Sequence, residues 1–158
     1  VYATPAYIST LATSTAIAQH VAVDYELRGC PIDKRQLLEV IGAFLAGRRP
    51  HVSAASVCTE CKRRGTVCLT VARGATCLGP VTHAGCGALC PAYDRPCFGC
   101  FGPQDLANPA ALAAHAQAAH SEPREVLVRA FHTFNAWAEP FRSLSRQDEP
   151  PPAAPRHE

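Results

Sequence analysis

Cys58-Thr59-Glu60-Cys61-Lys62-Arg63-Arg64-Gly65 opens, and Arg95-Pro96-Cys97-Phe98-Gly99-Cys100 closes, the stretch that decides how this 158-residue chain can fold. Cysteines recur between them as Cys58-x2-Cys61-x6-Cys68-x8-Cys77, then x8-Cys86-x3-Cys90-x6-Cys97-x2-Cys100. Glycine, proline and cysteine dominate residues 51–104, and no long periodic apolar run survives there. A segment this short cannot bury a conventional core; below about 60 residues, cross-links or metals usually supply the missing stability. Whatever the cysteines hold is the expected core of this region.

Eight thiolates make two sets of four, the number a cubane iron–sulfur cluster requires. A Cys-x-x-Cys pair sets two sulfurs on one side of a tight loop. Glycines at 65, 74, 79, 85, 87 and 99 stand between or beside the cysteines, where backbone can pass close to a cluster and turn N–H groups toward it. Pro91 after Cys90 repeats the Cys-Pro ending of bacterial ferredoxin motifs. Two zinc sites with four thiolates each would use the same number of cysteines. A zinc ribbon, however, expects its second pair about 15–20 residues after the first; here it is much farther on, with four cysteines between. Spacing favours iron–sulfur over zinc, and an odd total of nine cysteines fits a closed disulfide framework poorly. Consecutive blocks of four are the simplest partition, but a crossed arrangement, as in two-cluster ferredoxins, stays open from spacing.

Composition narrows the setting. The formal net charge is only +2, which suggests no nucleic-acid partner, and two loaded clusters of about −2 each would bring it to roughly −2. No run of 18 apolar residues is present, so no membrane span is expected. The start lacks the charged and apolar regions of a signal peptide; a cytoplasmic, reducing compartment is expected, where dense cysteines mean metal. The chain opens on Val1 and contains no methionine, which reads as a fragment lacking its natural N-terminal part.

Outward from the cysteines, the flanks are more regular. Val21-Ala22-Val23 leading to Tyr25 reads as a short strand ending before Gly29-Cys30-Pro31. Asp33 as N-cap with Gln36 as its capping-box partner starts a helix, with Leu37, Leu38, Ile41, Phe44 and Leu45 as its apolar face and Gly47 as its stop. Strand, loop and helix over residues 1–50 resemble the end of an α/β domain. Asn108-Pro109 opens an alanine-rich helix to about His120. Ser121 is expected to cap the next helix, with Pro123 in its first turn and Val126, Val128, Phe131, Phe134, Trp137 and Phe141 as packing surface. Helices are thus expected over 105–142, and a disordered tail over 143–158, whose end from Gln147 carries four prolines.

The blocks Val23-Asp24-Tyr25-Glu26-Leu27-Arg28-Gly29-Cys30-Pro31, Cys58 to Gly65, Cys77-Leu78-Gly79-Pro80-Val81-Thr82, Ala84-Gly85-Cys86-Gly87-Ala88-Leu89-Cys90-Pro91 and Arg95 to Pro103 together resemble the small subunit of cytoplasmic [NiFe] hydrogenases, most nearly the delta subunit of the NAD(P)-linked sulfhydrogenase type. That resemblance implies a flavodoxin-like domain ending near residue 50, then an irregular iron–sulfur domain over 51–104 and C-terminal helices. It implies that Cys58, Cys61, Cys68 and Cys77 hold a distal [4Fe–4S] cluster and Cys86, Cys90, Cys97 and Cys100 a medial one. Cys30, in Gly-Cys-Pro, matches the last ligand of a proximal cluster whose other ligands would lie upstream. It further implies a non-catalytic electron-transfer subunit, partnered by a large subunit with the nickel–iron site and by a flavin- and NAD(P)-binding or ferredoxin-like subunit.

Other residues carry less. His20, His51, His83, His115, His120 and His132 read as structural or surface histidines, since eight thiolates already suffice. Lys62, Arg63, Arg64 and Arg73 either offset cluster charge or dock a partner, or form a solvated basic loop. No dinucleotide fingerprint, P-loop or nucleophile elbow is present. The competing readings are a structural zinc-binding interaction module and a free ferredoxin-like carrier; an isolated Gly-Cys-Pro ligand has no use in the latter.

Overall fold

The computed structural model describes residues 4–7, 9 and 15–146. Its regular elements there are helices: α1 (Lys34–Leu45), α2 (Val57–Arg64), α3 (Leu69–Arg73), α4 (Leu89–Ala92), α5 (Pro109–His120), α6 (Arg124–Phe131) and α7 (Glu139–Arg146), with 3₁₀ turns at Pro5–Tyr7 and Ile17–Gln19 before α1 and at Gly79–Val81 between α3 and α4. None of these is long and apolar enough to cross a membrane.

Residues 21–25 form no strand. Among the described residues no segment runs alongside to pair with them, and an extended segment becomes a strand only by exchanging backbone hydrogen bonds with a neighbour. α1 starts where expected: the Asp33 carboxylate accepts from the N–H groups of Arg35 and Gln36, both at 3.0 Å. Gln36 does not close a capping box. Its Nε2 donates instead to the Ala84 carbonyl at 3.1 Å, tying α1 to the cysteine-rich region. The expected apolar face is also not a buried one. Val40 and Ala43 are buried, while Leu38 is 60% and Leu45 85% exposed; among the described residues the face gains one ring contact, Phe44 edge-on to Tyr25 with centroids 5.9 Å apart, which leaves most of it uncovered. Gly47 does end the helix, in a left-handed conformation at φ 64°. Beyond it, Arg48 donates to Glu39 at 2.6 Å; with the His51 N–H this holds the Glu39 carboxyl down to about 2.

Gly42 lies inside α1, and a Cβ there would meet no atom within 4 Å. Alanine loses less backbone freedom than glycine on entering a helix. Gly42→Ala is therefore expected to stabilise the chain by about 0.5–1 kcal/mol, read as a higher denaturant midpoint at unchanged slope.

The main apolar core is built by α5, α6 and α7 closing on the turn after Cys77. Leu78, Val81, Ala113, Ala116, Leu127, Phe131, Phe141 and Leu144 form one buried cluster. Asn108 caps α5 by accepting from the Ala111 N–H at 2.9 Å, as its position before Pro109 predicts. Ser121 does not cap α6. It terminates α5 in the left-handed region at φ 53°, and Pro123 precedes α6. The aromatic run does not form one helical face either: α6 stops at Phe131, a turn follows with Asn135 at φ 54°, and Leu127, Ala138 and Leu144 fill places expected of Val126 and its neighbours, Val126 itself being exposed. The tail begins later than residue 143, since α7 runs to Arg146 with Leu144 buried; the rest of the expected tail, residues 147–158, lies outside the described residues.

Candidate metal centre

Three short extended segments fix the cysteine-rich region. Ser56 pairs with His83 and Thr82 with Pro103 as isolated antiparallel bridges. Val57 N–H donates to Thr82 O at 2.9 Å, Ala84 N–H to Ala55 O at 2.8 Å, and His83 N–H to Gly102 O at 3.0 Å. Each segment borders a cysteine: Cys58 follows the first, Cys86 the second, and Cys100 precedes the third. The bridges thus gather cysteines far apart in sequence at one end of a small frame.

α2 presents Cys58 and Cys61 one turn apart, and ends at Gly65 in the left-handed region, φ 72°. The chain turns there, the Thr66 N–H donating to Cys61 O at 3.1 Å, and delivers Cys68 to the start of α3. Cys77 returns from the other side. These four thiols lie within mutual electrostatic range: Cys58 is pushed up to about 11, first by burial and then by Cys77, Cys61 and Cys68. The Cys61 thiol is raised by burial, with Cys77 and Cys68 adding to it.

Cys86, Cys90, Cys97 and Cys100 line a cavity of about 230 Å³, together with Cys30 and Val57. Burial raises Cys86 and Cys100; at Cys100 the Cys30 backbone N–H works against the rise, and the charges of Cys86 and Cys90 add to it. The Asn135 amide donates to the Gly99 and Cys100 carbonyls at 3.1 and 3.4 Å, fixing this loop against the α6–α7 turn. Asn135 was not distinguishable in the sequence, because nothing local marks a side chain that reaches back 35 residues. Arg28, just before Cys30, lies over the Trp137 ring at 4.8 Å. The segment carrying Cys30 is thereby pinned to the same turn.

Cys97 joins the two groups. It is the most buried cysteine at 6% exposure, and burial pushes its thiol up to about 12, with Cys77 and Cys86 among the neighbours that add to this. Its N–H donates to Cys77 Sγ at 3.2 Å, and its carbonyl accepts from Leu78 N–H at 3.0 Å. The second, smaller core consists of Val57, Ala88 and Cys97 with Cys61, Cys77 and Cys86 packed on it, so the sulfurs are themselves part of the packing.

The donor set fits iron–sulfur clusters. None of the nine cysteines is in a disulfide. A Cβ on Gly79 would stand in ordinary contact with two sulfurs, 3.4 Å from Cys58 Sγ and 3.5 Å from Cys77 Sγ, so the backbone at Gly79 lies close against both thiols. A metal that takes the place of the proton holds such buried thiols as thiolates. The histidines stand apart: His83 pairs with Asp105 at 3.2 Å, and His120 packs against Gly74.

No protein-family model matches the chain. It is 34% identical over 122 residues to the sulfhydrogenase 2 subunit delta of Pyrococcus furiosus, covering 77% of this chain and 50% of that one. It is 34% identical over 149 residues to a vhu subunit of the F420-non-reducing hydrogenase of Methanococcus voltae, covering 82% and 51%. It is 31% identical over 115 residues to the iron-sulfur subunit of the F420-non-reducing hydrogenase of Archaeoglobus profundus, covering 55% and 36%. The chain spans about half the length, or less, of these relatives.

Proposed function

Because the chain is a homologue of the sulfhydrogenase delta subunit and of F420-non-reducing hydrogenase subunits, we propose that it is the electron-relaying part of a hydrogenase iron–sulfur subunit. Cys58, Cys61, Cys68 and Cys77 hold one [4Fe–4S] cluster, and Cys86, Cys90, Cys97 and Cys100 a second. Cys30 supplies one ligand to a third, whose remaining ligands come from outside this chain. The bound clusters supply reversible one-electron transfer. The protein's own part is to hold eight thiolates in a fixed frame, exclude water from the inner ones, and aim N–H groups such as that of Cys97 at sulfur.

The observation that carries this reading is the arrangement of eight thiols as two adjacent groups meeting at Cys97, on a frame that has little other core. Clusters held by these residues would carry electrons between a nickel–iron large subunit on the Cys30 side and a flavin- and NAD(P)-binding or ferredoxin-like partner on the side of Cys58, Cys61, Cys68 and Cys77. Lys62 lies within electrostatic range of Cys58, and Val67 and Val71, which flank Cys68 in sequence, are exposed, which supports an exit on that side. The exposed apolar side of α1 supports the reading of residues 1–50 as the closing layer of a flavodoxin-like domain.

Anaerobic iron, acid-labile sulfide and zinc per chain test the proposal. About eight irons and eight sulfides from the two groups are expected. About two zincs and no sulfide would replace it with a structural zinc module.

A further inference from the structure

Glu60 stands between Cys58 and Cys61 in sequence, yet its carboxylate serves the other group of cysteines. Oε1 accepts from the Gly85 N–H at 2.9 Å, and Oε2 accepts from the Ala88 N–H at 3.2 Å. Oε2 also lies 3.8 Å from Cys86 Sγ. One carboxylate therefore clasps both ends of the turn that carries Cys86. Ala88 needs such a partner: it is fully buried and held at φ 53°, a left-handed conformation that is strained for a residue with a Cβ. One turn along α2, the Arg64 guanidinium donates to the Gly87 carbonyl at 2.9 Å. The helix that carries two ligands of the first group thus holds the ligand loop of the second by its two ends and its middle.

Resting on the two-cluster reading, we propose that Glu60 is a positioning residue that locks the two cluster loops together, and that its charge lowers the reduction potential of the cluster held through Cys86. A fixed negative charge close to a ligand sulfur opposes the arrival of an electron on that cluster. A rigid strut between the loops keeps the two clusters at one separation, which an electron relay requires. The sequence marks Glu60 only as one of the two residues inside a Cys-x-x-Cys pair. What singles it out is the 25-residue reach to Gly85.

The test is a redox titration of the cluster signals by electron paramagnetic resonance in the assembled protein, comparing native, Glu60→Gln and Glu60→Asp. Glutamine keeps an accepting oxygen but removes the charge. Glu60→Gln is expected to retain full iron while one of the two potentials shifts upward and the other moves less. Aspartate keeps the charge on a shorter arm and is expected to return that potential toward the native value. If both variants shift alike, or neither shifts at full iron, the inference is overturned. If the glutamine variant does not assemble, hydrogen exchange of the Gly85 and Ala88 amides in Glu60→Asp carries the test. Exchange faster than native supports the clasp, and unchanged exchange overturns it. A native protein without iron would instead overturn the two-cluster reading, and is thus distinguishable.

Discussion

Cys97→Ala is expected to leave a chain that binds about four irons where the native chain binds about eight. The remaining cluster should be the one held by Cys58, Cys61, Cys68 and Cys77. The loss should be complete rather than partial, because Cys97 is the innermost cysteine and no other side chain can replace its sulfur without moving the Val57–Ala88 core. The same substitution should also loosen the surviving group, though not through any loss of the N–H: that amide stays in place, 3.2 Å from Cys77 Sγ, but the loop holding it loses its metal anchor. Iron and sulfide analysis, followed by electron paramagnetic resonance of the reduced protein, checks this. One intact cubane signal is expected in place of two interacting ones. Cys30→Ala is the control and should leave both clusters in place. If Cys97→Ala kept all eight irons, Cys97 would not be a cluster ligand; if it lost both clusters outright, the two groups would not fill independently of each other.

Phe131→Ala is expected to destabilise the protein by about 3–5 kcal/mol, a large share of the roughly 5–15 kcal/mol that holds a typical domain. Phe131 is fully buried and packs edge-to-face on Phe141, with ring centroids 5.3 Å apart. Its removal opens a cavity where α6 and α7 meet Leu78 and Val81, with little room for the backbone to collapse. The damage should reach the metal centre by a short route. Leu78 follows Cys77 directly, and its N–H is bonded to the Cys97 carbonyl at 3.0 Å. Thr76, just before Cys77, is held by Glu122 from the α5–α6 connection at 2.9 Å. A loosened helical layer should therefore release iron at a lower urea concentration than the native protein does. Following visible absorbance and far-ultraviolet circular dichroism anaerobically on one sample gives both midpoints. An unchanged iron-release midpoint despite a large loss of helical stability would show that the cysteine frame stands independently of the helices.

The cysteine spacing was enough to mark the candidate metal centre, since thiolates are the usual cluster ligands and eight cysteines within 43 residues admit few other uses. Cap chemistry was equally legible at Asp33 and at Asn108-Pro109, because the signal and its consequence lie within four residues of one another. Burial was not. The face of α1 carrying Leu38, Ile41 and Leu45 has the pattern of a core face, yet within the described residues it is exposed; periodicity reports that a face seeks a cover, not where that cover lies. The split of the aromatic run into α6 and α7 was hidden for a related reason, as Asn135 turns the chain there and has its partners on the loop at Gly99 and Cys100.

The sequence alone thus determined which atoms can bind metal and where most of the isolated helices begin, because both depend on residue type and near neighbours. Only the tertiary structure decided that Glu60 and Arg64 serve the opposite group, that Gln36 reaches Ala84, and that Cys97 stands between two sets of thiols. Those relations span up to 48 residues of chain, and they exist only once the bridges at Ser56–His83 and Thr82–Pro103 have brought the loops together.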